Sequence, residues 1–128
     1  MEISSCVDAT CNESVQLPKS VEHLELDGIA FTGTHFFADF TSLKTLKLSE
    51  CDFSSTTMAS LAKKCLELQN LTICYMSFDN ADIFADFKSL KSIELNYNDA
   101  SNSTLNCIAK NCLRLQSLEI NRKCQFSS

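Results

Sequence analysis

The chain has 128 residues and a formal net charge of −5, from 16 acidic and 11 basic side chains. This length predicts one domain, which can bury roughly two-thirds of its unfolded surface without a metal or a disulfide. The acidic balance is unsuited to nucleic acid, because phosphate binding needs a basic face. No apolar run approaches the length of about 18 residues that predicts a membrane span.

The first segment, residues 1–20, is predicted to form an N-terminal cap. Its opening, Met1–Cys6, has neither a basic nor an apolar region, so we expect no signal peptide. Cys6 and Cys11 lie in this cap, ahead of the first regular element.

Five segments with the pattern Leu-x-x-Leu-x-Leu follow, and each is predicted to form a strand. Aliphatic and polar residues alternate in them, as in Leu46-Lys47-Leu48, and a period of two indicates a strand with one buried face. The segments start near residues 21, 43, 68, 90 and 115, so spacings of 22 and 25 residues alternate. Adjacent units would stack their strands into a parallel sheet, with a crossover between each pair. Residues 121–128 are predicted to form a C-terminal cap or tail.

The crossovers are of two kinds. The two long ones carry apolar residues at helical spacing and predict α-helices. The two short ones, Thr32–Phe40 and Asp79–Phe87, are rich in phenylalanine and predict a single turn or a 3₁₀ segment whose rings fill the core. The residues predicted to line the helices' buried faces are Met58, Leu61, Ala62 and Cys65 in the first, and Leu105, Ile108, Ala109 and Cys112 in the second.

The chain matches itself when it is shifted by 47 residues. Between residues 36–73 and 83–120, 19 of 38 aligned positions are identical. A fixed period is the signature of a repeat architecture, in which one unit cannot bury its apolar face and stacking makes the core continuous. Such architectures build extended surfaces, which favours binding over catalysis.

These features resemble those of leucine-rich repeat proteins, whose consensus is L-x-x-L-x-L-x-x-N/C-x-L. The likeness covers about Leu17 to Ile120, and Cys51 at the turn together with Ala62–Leu68 is most similar to the cysteine-containing subfamily of F-box-associated proteins. The resemblance implies an α/β solenoid, a short horseshoe arc with five parallel strands on its concave face. Short 3₁₀ or turn crossovers and α-helical crossovers would alternate on its convex side.

The residues that carry chemistry are scattered, and we expect neither an enzyme nor a metal or cofactor site. Metal sites need clustered ligands, and nucleophilic catalysis needs a base beside the nucleophile, whereas His23 and His35 are the only histidines. Most of the eight cysteines fall at predicted core positions, which favours reduced thiols and a cytoplasmic protein. Two other features are more typical of an extracellular protein with disulfides. They are Cys6 and Cys11, and the N-glycosylation sequons at Asn12, Asn70 and Asn102.

The polar residues between the leucines are predicted to face the concave side in rows that run across the strands. Tyr75 and Tyr97 share one row, and Tyr and Arg are enriched at binding hot spots, although both are also ordinary on an exposed rim. Cys74 is predicted to be an exposed, reactive thiol. The candidate partner-binding residues are Tyr75, Tyr97, Glu50, Arg122, Lys47, Thr72, Glu94, Glu119, Asn96 and Asp27.

The leading hypothesis is a non-enzymatic protein-interaction module that binds a partner protein through this concave surface. One alternative is a homotypic assembly unit that pairs through an uncovered terminal repeat. Another is a secreted or surface recognition protein stabilised by disulfides. Nucleic acid and membrane are not expected partners in any of the three.

Overall fold

Six parallel strands form one sheet, in which each strand neighbours the next in chain order. The structure is a computed structural model that describes residues 2–4, 20–28, 40–51, 55–75, 84–96 and 102–121. Two α-helices of ten residues each complete the described elements. In chain order the elements are β1 (Glu2–Ser4), β2 (His23–Asp27), β3 (Thr45–Ser49), α1 (Ser55–Lys64), β4 (Asn70–Cys74), β5 (Ser92–Asn96), α2 (Asn102–Asn111) and β6 (Ser117–Asn121).

The register of the sheet confirms the spacing that was read from the leucines. Leu46 is the register partner of Leu24 on one side and of Leu71 on the other, and Leu71 is in turn the partner of Ile93. From β2 to β6 the register therefore advances by 22, 25, 22 and 25 residues, with no slip. A shift of one residue would carry every leucine to the opposite face, so burial of one face fixes the pairing.

Backbone hydrogen bonds join neighbouring units in the same way at every junction from β2 to β6. Just before each strand, two successive N–H groups donate to a single carbonyl of the preceding unit; Lys44 and Thr45, for example, both donate to Glu22 O, at 2.8 and 2.9 Å. The carbonyls of Lys44, Gln69 and Lys91 each accept two such bonds in the later units. Both the donor and the acceptor of these bonds are main-chain atoms.

The core lies between the sheet and the crossovers. In β2, β3 and β5 the aliphatic residues are buried and the polar residues between them are more exposed, as period two requires. The same core takes in Met58, Leu61, Ala62 and Cys65, the apolar face predicted for the first helix. Phe40, Phe84 and Phe87 are buried with them, while the other crossover phenylalanines lie outside the described residues. A turn closes the second short crossover, where Phe87 N–H donates to Phe84 O at 3.3 Å.

The expected α/β class with an all-parallel sheet is confirmed, but the expected five strands become six. Glu2–Ser4, assigned to the cap, forms β1 and pairs with β2, with Ile3 opposite Leu26. A three-residue strand with one aliphatic residue is too short to show the alternation on which the prediction depended.

The predicted face of the second helix is also partly wrong. Ile108 and Cys112 are buried, but Leu105 is only half-buried and Ala109 is exposed, while Thr104 and Cys107 are buried instead. The physical reason is position: α2 belongs to the last described unit, and no described element covers its far side.

Candidate protein-binding surface

The polar rows predicted from the sequence lie on the face of the sheet opposite the helices, which we call the outward face. Its residues are the polar positions of β2 to β6 and the residue that follows each strand. Register pairing aligns three complete rows across these five strands. They are His23, Thr45, Asn70, Ser92 and Ser117; Glu25, Lys47, Thr72, Glu94 and Glu119; and Asp27, Ser49, Cys74, Asn96 and Asn121.

Eight of the ten candidate binding residues are described, and all eight belong to the outward face. Asp27, Lys47, Glu50, Tyr75 and Glu119 are exposed. The remaining three, Thr72, Glu94 and Asn96, are half-buried. Tyr97 and Arg122, which the sequence places in the row of Tyr75, lie outside the described residues.

The residues that directly follow β2, β3 and β4 adopt an unusual backbone conformation, which the sequence analysis did not foresee. Gly28, Glu50 and Tyr75 have φ of 72°, 52° and 55°, in the left-handed region. Their N–H groups donate to Ser49, Cys74 and Asn96 carbonyls at 2.9–3.0 Å, which extends the ladder by one bond. Glycine adopts this conformation without a steric penalty, as at Gly28. A glutamate and a tyrosine give no such signal in a sequence.

An amide network orders the outward face where β4, β5 and β6 meet. The Asn121 amide donates to Asn96 Oδ1 at 2.6 Å and to Glu119 Oε2 at 3.0 Å. The Asn96 amide in turn donates to Glu94 Oε2 at 2.8 Å and reaches Cys74 Sγ at 3.5 Å. The amides of Asn96 and Asn121 thereby hold the carboxylates of Glu94 and Glu119, which lie on adjacent strands, in fixed positions.

Cys74 corrects a prediction, because its thiol is buried rather than exposed and reactive. Its two row neighbours, Ser49 and Asn96, are half-buried, and the longer Asn96 side chain leans onto the sulfur. A small side chain between larger ones is covered even on the outer face of a sheet. Period-two reasoning assigns the face and does not take account of side-chain length.

The charges of the described side chains are segregated between the outward face and the rest of the surface. The outward face carries five carboxylates and one ammonium, a net charge of −4. The remainder carries three carboxylates and seven cations, a net charge of +4. The outward-face charges are Glu25, Asp27, Lys47, Glu50, Glu94 and Glu119; the others are Glu22, Lys44, Lys63, Lys64, Glu67, Asp86, Lys88, Lys91, Lys110 and Arg114.

Among the described cysteines, all but Cys74 belong to the hydrophobic core. Cys51 Sγ donates to Leu26 O at 3.5 Å and to Ser49 O at 3.4 Å, at the turn that the sequence analysis assigned to it. Burial raises the pKa of Cys65 from 9.0 to about 12. Burial also raises the pKa of Cys112, with a further rise from Cys107 and a partial offset from the Lys88 ammonium. Such thiols are poor nucleophiles at neutral pH, since the thiolate is the reactive form.

Within the part of the chain that the structure describes, no group of three or more His, Cys, Asp or Glu side chains is arranged to hold a metal ion. No helix there has the length and apolar character needed to span a membrane. His23 is exposed on the outward face, as expected for a strand residue, and His35 is not described.

Comparison with known proteins adds no further constraint. The sequence matches no protein-family model and no curated protein. Function is therefore argued from the residues and geometry of the outward face.

Proposed function

We propose that this chain is a non-enzymatic protein-interaction module, built as a leucine-rich repeat solenoid, that binds a basic partner protein through its outward face. The observation that carries the proposal is Tyr75, a tyrosine that is 54% exposed although its backbone is left-handed. Sparsely populated backbone conformations cluster at binding and active sites.

The steric argument compares Tyr75 with its equivalent in the first unit. Gly28 occupies the same place after β2 and makes the same ladder bond, so a tyrosine is not needed for the turn. A left-handed conformation costs a residue with a Cβ roughly 1–2 kcal/mol. Tyr75 is exposed and contributes little to the core, although glycine would adopt this backbone without the steric cost. The tyrosine side chain at this position therefore supports a contact with a partner. Tyrosine supplies a large contact area with few rotatable bonds, and it is enriched at hot spots.

The chemistry of the partner follows from charge. The described side chains of this face carry a net charge of −4, which attracts a surface rich in lysine and arginine and repels acidic surfaces. The fixed positions of Glu94 and Glu119 favour guanidinium or ammonium groups placed one strand apart. The partner we propose is therefore a protein segment with several cationic side chains.

The solenoid assignment is supported by three features that recur together. The register is constant across the units, the junction hydrogen bonds repeat, and Cys51, Cys65 and Cys112 are buried at their expected places. Buried thiols at repeat positions also support the cytoplasm as the location, as reduced cysteines are typical of that compartment. A concave protein-binding surface is the common use of such architectures.

The substitution Tyr75→Gly tests whether the Tyr75 side chain serves binding rather than folding. Tyr75→Gly removes the side chain and relieves the backbone, so the free energy of unfolding should stay within about 1 kcal/mol of the parent. Capture of a partner from the native source should nevertheless be lost. A variant that binds as well as the parent would overturn the assignment of Tyr75.

Two double variants test the charge argument, and they change the net charge equally. One is Glu25→Lys with Glu119→Lys, and the other is Glu67→Lys with Asp86→Lys; all four residues are exposed. Only the first pair lies on the outward face. We expect that pair to slow association and to weaken its dependence on salt, measured with the captured partner. Equal effects from both pairs would contradict a basic partner on this face.

A further inference from the structure

The described charges outside the outward face all lie at one edge of the molecule, where the strands begin. The strands are parallel, so their amino ends share this edge. The helices end beside it, because residues 65–69 alone connect α1 to β4 and residues 112–116 alone connect α2 to β6. We call the last turn of each helix and the segments that lead into β2 to β6 the amino edge. It carries the seven cations and three carboxylates given above, a net charge of +4.

Two leucines are exposed among these cations, at equivalent places in two turns. Leu66 is 70% exposed and Leu113 is 80% exposed. Each is the second residue of a four-residue turn that a backbone hydrogen bond of 3.1 or 3.2 Å closes. Thr41 takes the same place in the turn before β3, which a hydrogen bond of 3.2 Å also closes. The turn therefore does not require a leucine.

Lys88 occupies the corresponding position between the two leucines. It follows Leu66 by 22 residues and precedes Leu113 by 25, which is the register spacing of β4, β5 and β6. Its Nζ donates to Asn111 Oδ1 at 3.3 Å, so the ammonium lies beside the end of α2, close in sequence to Leu113. The amino edge thus presents an apolar, a cationic and an apolar side chain ahead of three consecutive strands. Strands lie about 4.8 Å apart, which separates the two leucines by roughly 10 Å.

Other cations flank this row. Lys63 and Lys64 end α1, Lys110 lies in the last turn of α2, and Arg114 follows Leu113. All four are exposed, and none of them forms an ion pair within the part of the chain that the structure describes. The helix dipole favours cations at helix ends, but it does not account for exposed leucines between them.

We propose that the amino edge binds an extended, acidic segment of a partner protein, in which two apolar side chains flank carboxylates. The apolar side chains cover Leu66 and Leu113, and the carboxylates pair with Lys88 and the flanking cations. In an extended chain of polyproline type, residues three apart lie on one side at about 9 Å, which matches the spacing of the leucines. Repulsion between carboxylates keeps such a segment extended. The inference does not rest on the proposed function, because it uses a different surface of opposite charge.

A protein segment fits this edge better than a uniformly negative surface does. Glu67 and Asp86 are exposed among the cations, and both would be repelled by an anionic bilayer or a nucleic acid backbone. A peptide can place its carboxylates only where the cations are.

Fluorescence anisotropy with a labelled peptide tests the inference. The probe is Glu-Glu-Leu-Glu-Glu-Leu-Glu-Glu, and a control peptide carries serine in place of both leucines. We expect the natural chain to bind the probe saturably and the control peptide at least about tenfold more weakly. The double variant Leu66→Ser with Leu113→Ser should lose the same factor for the probe. Because both side chains are largely exposed, this variant stays folded, which far-ultraviolet circular dichroism checks.

Two matched lysine variants test the charge. Lys88→Gln and Lys47→Gln each remove one exposed cation, but Lys47 lies on the outward face. Lys88→Gln should weaken binding of the probe by about threefold, and Lys47→Gln should not weaken it. Tyr75→Gly should also leave this binding unchanged, which distinguishes the amino edge from the outward face.

Three results would overturn the inference. They are a natural chain that does not bind the probe, probe binding that the double leucine variant leaves unchanged, and binding to phosphatidylserine vesicles in place of the probe.

Discussion

Two units of the chain share much of their sequence and differ in burial. The interior unit consists of β3, α1 and β4, and the terminal unit, the last that the structure describes, consists of β5, α2 and β6. Lys63, Cys65, Leu66, Leu68 and Gln69 recur unchanged 47 residues on, and both units form a strand, a ten-residue helix and a strand. In β4 both aliphatic residues are fully buried, whereas β6 has none that is. The difference teaches that in a repeat protein a residue's contribution to stability depends on the next unit as much as on its own.

The sharpest way to break this comparison is to truncate the same leucine in both units. Leu71→Ala should lower the free energy of unfolding by about 2–5 kcal/mol, because it leaves a cavity in the core. Leu118→Ala should cost the monomer about 1 kcal/mol or less, since much of that side chain is in water already. Urea titration at a concentration where the protein sediments as a monomer measures both. Equal losses of unfolding free energy in the two variants would mean that Leu118 is as fully covered as Leu71.

The helices permit a second, smaller contrast. Met58→Ala should destabilise the chain by about 2–3 kcal/mol, whereas Leu105→Ala should cost about 1 kcal/mol. The cause is again that no described element packs beyond α2. The same urea titration checks it, and a larger loss at Leu105 than at Met58 would contradict the burial pattern.

The pH dependence of stability allows a further comparison of the two units, through their equivalent thiols Cys65 and Cys112. The folded pKa of Cys65 lies above 9.0, at about 12, so the folded state disfavours the thiolate. The contribution of Cys65 to stability is therefore complete below pH 9 and lost as pH rises towards 12. Cys65→Ala should flatten this alkaline decline in the free energy of unfolding, followed by urea titration at rising pH. Cys112→Ala should act in the same direction, because burial and Cys107 raise the Cys112 pKa although Lys88 lowers it. An unchanged alkaline slope in Cys65→Ala would argue against the burial of that thiol.

The smallest effect is expected where the two units agree. Leu66 and Leu113 are 70% and 80% exposed, so both remain outside the core whatever follows them. Leu66→Ser and Leu113→Ser should each change the free energy of unfolding by at most about 0.5 kcal/mol. A substantial loss at Leu113 alone would show that the terminal unit is covered in a way that the interior unit is not.

The sequence predicted the sheet well because its signal is periodic. Leucines two residues apart determine the face of each strand, and the constant spacing determines the register, so the outward rows were identified from residues alone. The first helix followed for the same reason. Eight candidate binding residues consequently lie on one surface, as expected.

Three features escaped that reasoning because they depend on neighbours in space. Cys74 is covered by Asn96 from the adjacent strand, and Ala109 is exposed since no described unit packs beyond it. The left-handed backbone of Tyr75 follows from the ladder bond to Asn96, at a residue type that does not favour it. Periodicity predicts the face of a strand or helix on which a side chain lies, but it does not predict which neighbouring side chains cover it.

The junction between units has a consequence for how such a chain changes in length. From β3 to β6, each strand is joined to the one before by paired N–H groups that converge on one carbonyl, and side chains take no part in that bond pattern. Duplication or deletion of one 47-residue segment would therefore regenerate the same junction on both sides. Growth by whole segments preserves the hydrogen bonding, while an insertion of any other length must be absorbed in a crossover. The hydrogen bonding between units is therefore modular at the level of the main chain, whereas burial of the apolar side chains still depends on the neighbouring unit.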